Sequence, residues 1–382
     1  MFAFILPPFF GNYRKYITLQ CKKGSESETI AYEYKCREAA DKEEINKILE
    51  LYFKKAYNTS ITLRENRIMK IIYILLFLTT ILMLLILLTS YVCFRMAFYV
   101  PEKKPKNTDE FDLPKGEIYE PYHEQMIAWT KETRTFPQER FTITSFDGLK
   151  LSGKYFEYKA DAPIELMFHG YRGNAERDLS GAVQRCFSLG RSVLIVDQRT
   201  SGNSEGNVIS FGINESRDCL SWVNFLIEHF GKDVKIILTG ISMGASTVMM
   251  ASAMDLPPNV ISALADCGYT SAKDIIKKVI REMKLPATLL YPFVKLGAKL
   301  YGHFDLEETS PLEAMKNCRI PIIFIHGETD DFVPCDMSRA NYEACVAPKK
   351  LFTVANAGHG MSYLLDNSGY FKTLKDFSEE YH

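Results

Sequence analysis

Three polar residues that could serve as nucleophile, acid and base each follow a short apolar segment of the sequence. Ser242 is the centre of a Gly-x-Ser-x-Gly motif, and Asp330 and His359 come later in the chain. A serine hydroxyl becomes nucleophilic when a histidine takes its proton, and a carboxylate fixes the tautomer of that histidine. The order Ser, Asp, His therefore predicts a catalytic triad of Ser242, Asp330 and His359 for cleavage of an acyl bond.

The context of Ser242 strengthens this prediction. The apolar segment Ile236–Leu238 comes just before the motif, and a helical pattern follows it. Gly240 and Gly244 allow a sharp turn that lifts the serine hydroxyl above a sheet. The backbone N–H groups of Met243 and Tyr171 are the expected oxyanion hole, because Tyr171 lies in a glycine-rich loop after the apolar segment Ile164–Phe168.

Two other carboxylates are alternatives to Asp330. Asp331 is its direct neighbour, but the spacing from Gly327 favours Asp330, so Asp331 is interpreted as a solvated side chain. Asp266 ends an apolar segment and stays open as another acid position. His169 and His326 precede glycines and are interpreted as loop organisers.

The apolar segments that precede these residues alternate with helical patterns. Such alternation predicts a mostly parallel sheet flanked by helices. An Asp147-Gly148 turn between two further segments predicts a β-hairpin at the start of this domain. The expected strands are Ile164–Phe168, Ser192–Val196, Ile236–Leu238, Val260–Leu264, Ile322–Ile325 and Leu351–Val354.

From about residue 135 to 380 the chain resembles the α/β-hydrolase superfamily, and in particular membrane-anchored bacterial hydrolases similar to serine aminopeptidases and lysophospholipases. The resemblance implies the α/β-hydrolase fold. Thr200 departs from it, because relatives usually carry glycine there. The motifs that carry the resemblance are HGYRGN (169–174), DQRTSGNSEG (197–206), GISMG (240–244), HGETDDFVP (326–334) and AGHG (357–360).

An uncharged run from Ile71 to Phe94 precedes this domain. Its 24 residues would extend ~36 Å as a helix, more than the ~30 Å of a bilayer core. The run therefore predicts one transmembrane helix, in a single-pass protein of the cell membrane. Basic residues stand on both sides of the run, and those nearest its start favour a cytoplasmic N-terminus. The hydrolase domain is then expected on the extracytoplasmic side.

The rest of the chain divides around this span. Residues 1–68 are predicted to be an appendage with one amphipathic helix, because a capping pattern at Asp41 precedes an apolar stripe. Residues 69–96 form the predicted span, 97–134 a Pro- and charge-rich linker, and 135–382 the hydrolase domain. The stripe comprises Ile45, Ile48, Leu49, Tyr52 and Ala56.

A cap is expected at about 269–318, with helices at Ala272–Lys284 and Ala287–Tyr301. The first helical pattern is basic and the second is apolar. An acyl or lipid pocket near a membrane would explain this pairing, and packing on the domain with a solvated basic face is the alternative.

Composition limits the function further. A formal net charge of −1 gives no sign of nucleic-acid binding. The nine cysteines contain no Cys-x-x-Cys pair, which argues against a zinc site and, mildly, against an oxidising compartment. No nucleotide, metal or flavin motif is present, so no cofactor is expected. We expect a small-molecule or lipid ester substrate. An amidase or aminopeptidase with the same triad, and a non-catalytic binding protein, are the alternatives.

Overall fold

A computed structural model describes residues 15–23, 26–34, 41–101 and 111–381. The chain divides into two compact units, Met1–Met83 and Leu84–His382. The boundary between the two units falls inside one long helix.

The first unit contains a hairpin and most of the long helix. Strands β1 (Lys15–Lys23) and β2 (Glu26–Tyr34) pair antiparallel, with Lys15 opposite Tyr34. The sequence did not predict this hairpin. Helix α1 (Asp41–Ala97) begins at the predicted cap residue and continues without a break through the apolar run. Of the predicted amphipathic stripe, Ile45, Ile48 and Leu49 lie outside the residues whose side chains are described.

Helix α1 is long and apolar enough to cross a membrane. The side chains of its most apolar stretch are exposed, and they include Leu78, Leu82 and Leu85. An exposed surface of this kind is unlike a core helix of a soluble protein, which buries its apolar face.

The second unit is built on an eight-stranded mixed sheet, as the sequence predicted. The strand order is β3-β4-β6-β5-β7-β8-β9-β10, with β3, β4 and β6 paired antiparallel and the remaining pairs parallel. The predicted hairpin is β3 with β4. The strands are β3 (Glu139–Thr144), β4 (Lys150–Phe156), β5 (Ile164–Phe168), β6 (Ser192–Asp197), β7 (Ile236–Ile241), β8 (Val260–Asp266), β9 (Ile322–Gly327) and β10 (Lys349–Val354).

Helices cover both faces of this sheet. The central strands β5, β6, β7 and β9 are buried almost throughout, which explains why they are continuous apolar runs rather than alternating patterns. The helices are α2 (His123–Thr135), α3 (Ala175–Ser188), α4 (Ile213–Phe230), α5 (Met243–Ala251), α6 (Ala272–Glu282), α7 (Ala287–Tyr301), α8 (Pro311–Met315), α9 (Cys335–Ala344), α10 (Ser362–Leu365) and α11 (Asn367–Tyr381).

The last turns of α1 belong to the core of this second unit. Phe94 and Phe98 are buried, and Phe98 meets the rings of Phe211 and Phe304 at 5.7 and 5.3 Å between centroids. Tyr99 then forms an isolated antiparallel bridge with Val208. The chain is therefore folded onto the domain up to about residue 100.

All but the last residue of helix α2 lies within residues 97–134, which the sequence predicted as a linker. Its Trp129 ring covers Gly181 of α3 so closely that a Cβ there would be 2.5 Å from the ring. Arg134 forms an ion pair of 2.6 Å with Glu176. Most residues of α2 are polar, so the sequence pattern does not predict this helix. Its partners are distant in sequence and give no local signal.

Candidate active site

Ser242 lies at a sharp turn between β7 and α5. Its φ and ψ are 56° and −117°, a conformation that side-chain-bearing residues rarely adopt. A Cβ on Gly240 would lie 2.0 Å from the Gly244 carbonyl oxygen, and one on Gly244 would lie 2.0 Å from the Phe168 carbonyl oxygen. Only glycine fits these two positions, so the motif residues are required by the tight strand-to-helix turn.

The structure brings the three predicted catalytic residues together in one hydrogen-bonded row. His359 Nε2 is 2.9 Å from Ser242 Oγ, and His359 Nδ1 is 2.7 Å from Asp330 Oδ2. Because ionised Asp330 only accepts, the network assigns the proton of His359 to Nδ1 and leaves Nε2 to accept from the serine hydroxyl. Each residue follows a different parallel strand, β7, β9 or β10, at the same edge of the sheet.

Asp330 is held by more donors than His359 alone. Its Oδ2 also faces His326 Nε2 at 3.1 Å, and its Oδ1 accepts from the N–H groups of Phe332 and Val333 at 3.0 and 2.8 Å. Burial favours the neutral acid, but the hydrogen bonds from His326 and His359 prevail and lower the pKa of Asp330 to about 2. His326 is therefore a support of Asp330, beyond the loop role expected for it.

The loop after β5, which holds Tyr171, lies directly against the serine. A Cβ on Gly170 would be 3.5 Å from Ser242 Cβ. The Gly170 N–H donates to Asp178 Oδ2 at 3.0 Å, which ties the loop to α3. Met243 begins α5, where helix geometry leaves N–H groups without intrahelical partners. Sequence reasoning missed Asp178, which shows no motif of its own.

The end of α1 holds the same loop from outside. Tyr171 donates its hydroxyl to the Ala97 carbonyl at 2.8 Å, and Arg172 donates to the Met96 carbonyl at 2.9 Å. Both carbonyls belong to the last turn of a helix, where such groups need partners from elsewhere. Arg172 has a φ of 52°, so these contacts hold a loop that contains an unfavourable backbone conformation.

A cavity of about 260 Å³ opens beside Ser242 and His359. It passes between the sheet, α2 and α3, where Met126, Trp129 and Leu179 give it an apolar wall. No residue of α6 or α7 lines this cavity, although the sequence suggested an acyl pocket near the cap. Tyr119 closes the cavity near the histidine and donates its hydroxyl to the His359 carbonyl at 2.9 Å.

Arg185, Asp266 and Tyr370 also line the cavity and belong to a cluster of buried polar groups. Arg185 pairs with Glu165, which is fully buried and also binds Arg191 at 2.7 Å. Burial opposes ionisation of Glu165, but Arg185 and Arg191 outweigh it and lower its pKa to about 2. Tyr370 donates to Asp266 Oδ2 at 3.0 Å. The cavity therefore has ionisable side chains beside its apolar wall.

None of the alternative residues takes the place of Asp330 or His359 in the hydrogen-bonded row. Asp266 bonds to Tyr370 rather than to His359, and burial raises its pKa to about 6. Asp331 is exposed. Buried His169 accepts from the Gln198 N–H at 3.0 Å and shapes its own loop. Thr200 has a φ of 69°, in the left-handed region that favours glycine.

Cys267 is the remaining reactive group near the row. Its Sγ lies within 4.8 Å of ligand atoms of Asp330 and His359, a grouping that could in principle hold a metal ion. Burial, with nearby Asp266 and Asp330, raises the pKa of the Cys267 thiol well above its usual range. A metal ligand must be a thiolate, and the histidine and carboxylate atoms already bind each other, so the chemistry of this donor set does not suit a metal.

The chain is similar in sequence and in fold to several known proteins. The chain is 30% identical to the uncharacterized protein YqkD of Bacillus subtilis over 71% of this chain and 87% of that protein. It is similar in structure to the esterase Pf2001 of Pyrococcus furiosus, with a TM-score of 0.55, 22% identity, and coverage of 66% of this chain and 93% of that one. The α/β hydrolase GrgF from Penicillium gives a TM-score of 0.50, 18% identity, and coverage of 64% and 99%. No family model matches the chain.

Proposed function

Because the chain belongs to the α/β-hydrolase superfamily, we propose that it is a membrane-anchored serine hydrolase that cleaves carboxylic esters through Ser242, His359 and Asp330. The observation that carries the proposal is the hydrogen-bonded row of these three side chains, with the serine in a strained turn. Strain of this kind persists only where the surrounding structure maintains it, and it is concentrated at functional sites.

The first half of the proposed reaction acylates the serine. His359 Nε2 takes the proton of Ser242 Oγ as the oxygen attacks the ester carbonyl carbon. Asp330, which its neighbours keep ionised at neutral pH, stabilises the imidazolium that forms. The tetrahedral intermediate then collapses, the bond to the alcohol oxygen breaks, and His359 returns the proton to that oxygen. In the second half, His359 Nε2 takes a proton from water as the water oxygen attacks the acyl carbon. The bond to Ser242 Oγ then breaks, the acid leaves, and the proton returns to the serine oxygen.

The N–H groups of Met243 and Tyr171 are proposed to bind the oxyanion. Their segments meet beside Ser242, because Gly170 packs on the serine and Met243 follows it. Loss of one such donor typically costs ~3 to 4 kcal/mol of transition-state stabilisation.

The substrate is proposed to be an acyl or lysophospholipid-like ester. The apolar wall of the cavity suits an acyl chain or an apolar alcohol. The proposed partners are a small-molecule or lipid ester and the membrane.

Covalent labelling tests the nucleophile. A fluorophosphonate probe should label the purified full-length protein in detergent and should leave Ser242→Ala unlabelled. Ser246→Ala is a matched control, because Ser246 is a fully buried serine of α5 just after the turn. Labelling that persists in Ser242→Ala would overturn the assignment.

The bond type requires a separate measurement. Turnover of nitrophenyl esters should exceed that of aminoacyl nitroanilides. The reverse preference would favour an amidase or aminopeptidase with the same triad. Failure to react with either substrate or with the probe would favour a non-catalytic binding protein.

The proposed location of the hydrolase domain is extracytoplasmic, with α1 as the single span. A phosphatase fused after residue 382 should be active in this orientation. A fluorescent protein that folds only in the cytoplasm should be dark at the same position. The opposite pair of results would place the domain in the cytoplasm.

A further inference from the structure

The cap helix α7 carries an apolar stripe that the active-site cavity does not use. Leu289, Phe293, Leu296 and Leu300 share one helical face by their spacing. Leu289 is 64% exposed and Leu300 is 41% exposed, while the two residues between them are partly buried. A row of large apolar side chains at the surface marks an interaction site.

The neighbouring face of α7 packs directly on the end of α1. Gly297 approaches α1 so closely that a Cβ there would lie 2.4 Å from the Ser90 carbonyl oxygen. Tyr301 donates its hydroxyl to the Leu87 carbonyl at 3.1 Å, and its ring meets that of Tyr91 at 5.3 Å. The apolar stripe is therefore next to the contact with α1.

The position of this contact along α1 indicates what covers the apolar stripe. Leu87 precedes Phe94, the end of the uncharged run, by seven residues, or ~10 Å of helix. The run exceeds a bilayer core by only about 6 Å. Even if all of this excess lay at the Phe94 end, Leu87 would be about 4 Å inside the hydrocarbon. The last turn of α7, which contacts Leu87, is then just inside the hydrocarbon boundary.

The turn before α7 has a composition that suits the surface of a membrane. Met283 and Leu285 are 48% and 43% exposed, and Arg281 and Lys284 are exposed beside them. Exposed apolar side chains mixed with basic ones are typical of segments that lie in the headgroup region of a membrane. Leu88 and Val92 of α1 are also exposed, so the same lipid would cover both elements.

We infer that the stripe Leu289, Phe293, Leu296 and Leu300 is inserted into the lipid surface beside α1. The cap then acts as a second membrane contact that fixes the height of the active site, and esters presented by the lipid phase are the favoured substrates. This inference rests on the proposed membrane anchoring and ester hydrolysis.

Depth-dependent quenching tests the insertion directly. Full-length Leu300→Cys, labelled with an environment-sensitive fluorophore, is placed in vesicles of zwitterionic and anionic phospholipid that carry spin-labelled lipids. Val346→Cys is the control, because Val346 is 69% exposed and lies in the loop before β10, at the edge of the sheet opposite Ser242. The parent protein, labelled in the same way, gives the signal of the native cysteines for subtraction.

The label at residue 300 should be quenched at least about threefold more than the label at residue 346, with the strongest effect from spin labels near the headgroups. Equal quenching at the two positions would overturn the inference. This measurement needs no enzyme activity, so its result is independent of the proposed reaction.

Activity with two kinds of substrate separates the remaining possibilities. Leu300→Glu should lower turnover of a vesicle-borne ester by about fivefold or more while leaving a water-soluble nitrophenyl ester unchanged. Val346→Glu should change neither. An equal loss with both esters would indicate a folding defect and contradict a lipid-specific role. No hydrolysis of either ester by the parent protein would refute the proposed function while leaving the quenching result valid.

Discussion

At the scale of single residues, two adjacent aspartates allow a sharp test of the acid. Asp330 is buried and bonds to His359, whereas Asp331 is exposed. Asp330→Asn should lower kcat by ~10⁴-fold, because the asparagine amide cannot hold the histidine in the tautomer that accepts the serine proton. Asp331→Asn should keep kcat within about twofold, since exposed substitutions are usually mild. Comparable losses in both variants would refute the assignment of Asp330.

The same residue predicts a dependence of stability on pH. The folded-state pKa of Asp330 is about 2, below its usual value of 3.8. Its ionised form therefore contributes stability above pH 4, on the order of 2 kcal/mol, and this is lost as the pH falls toward 2. The thermal midpoint of the parent protein should drop across this window. Asp330→Asn should show a shallower drop, and Asp331→Asn should follow the parent. If the thermal midpoint of Asp330→Asn falls as steeply as that of the parent protein, other carboxylates cause the loss of stability.

Other contributions at this scale could not be predicted from the sequence. Ser242, Asp330 and His359 were predictable, because each comes shortly after a parallel strand, at the same edge of the sheet. His326 supports Asp330 only because the loop that follows β9 folds back on itself. Asp178 reaches the Gly170 N–H from α3. Contacts of this kind leave no periodic pattern in the amino-acid sequence.

At the scale of elements, buried strands were the most predictable features. Each is a short apolar run between turn residues, and β5 was predicted with its observed ends. Helix α2 was missed because its apolar residues are few and face a partner far along the chain. The packing of the last turns of α1 on the hydrolase domain was missed for another reason. A uniformly apolar run gives no sign of where contact with lipid changes to contact with protein.

Contact between α1 and the loop after β5 yields a prediction at this scale. Tyr171→Phe removes one hydrogen bond to the Ala97 carbonyl and keeps the ring that packs on Phe211. Such a bond contributes about 0.5–1.5 kcal/mol. If it orients the oxyanion loop, kcat should fall about two- to tenfold with KM little changed.

Tyr301→Phe is the matched control for this prediction. It removes the analogous bond to the Leu87 carbonyl, away from the oxyanion loop. Its kcat on a soluble ester should equal that of the parent. If both variants lose kcat equally, the bond to Ala97 has only a general effect on packing.

At the scale of the whole molecule, α1 is both the proposed membrane anchor and a part of the hydrolase core. Phe94 and Phe98 are buried among residues of the second unit, and that unit begins at Leu84. Loss of a buried phenylalanine side chain costs ~3–5 kcal/mol, and whole domains are stable by only ~5–15 kcal/mol. A hydrolase domain cut off at the end of the span should therefore lack a necessary part of its core.

Two truncations test this dual role. A chain that starts at Leu84 keeps both phenylalanines and should unfold in detergent at nearly the thermal midpoint of the full chain, with its activity on a soluble ester retained. A chain that starts at residue 101 lacks them, together with the partners of Tyr171 and Arg172, and should be unfolded or inactive. Phe98→Ala in the full chain should give an intermediate midpoint, because it removes one ring and keeps the loop contacts. A stable, active chain from residue 101 would show that α1 is only an anchor.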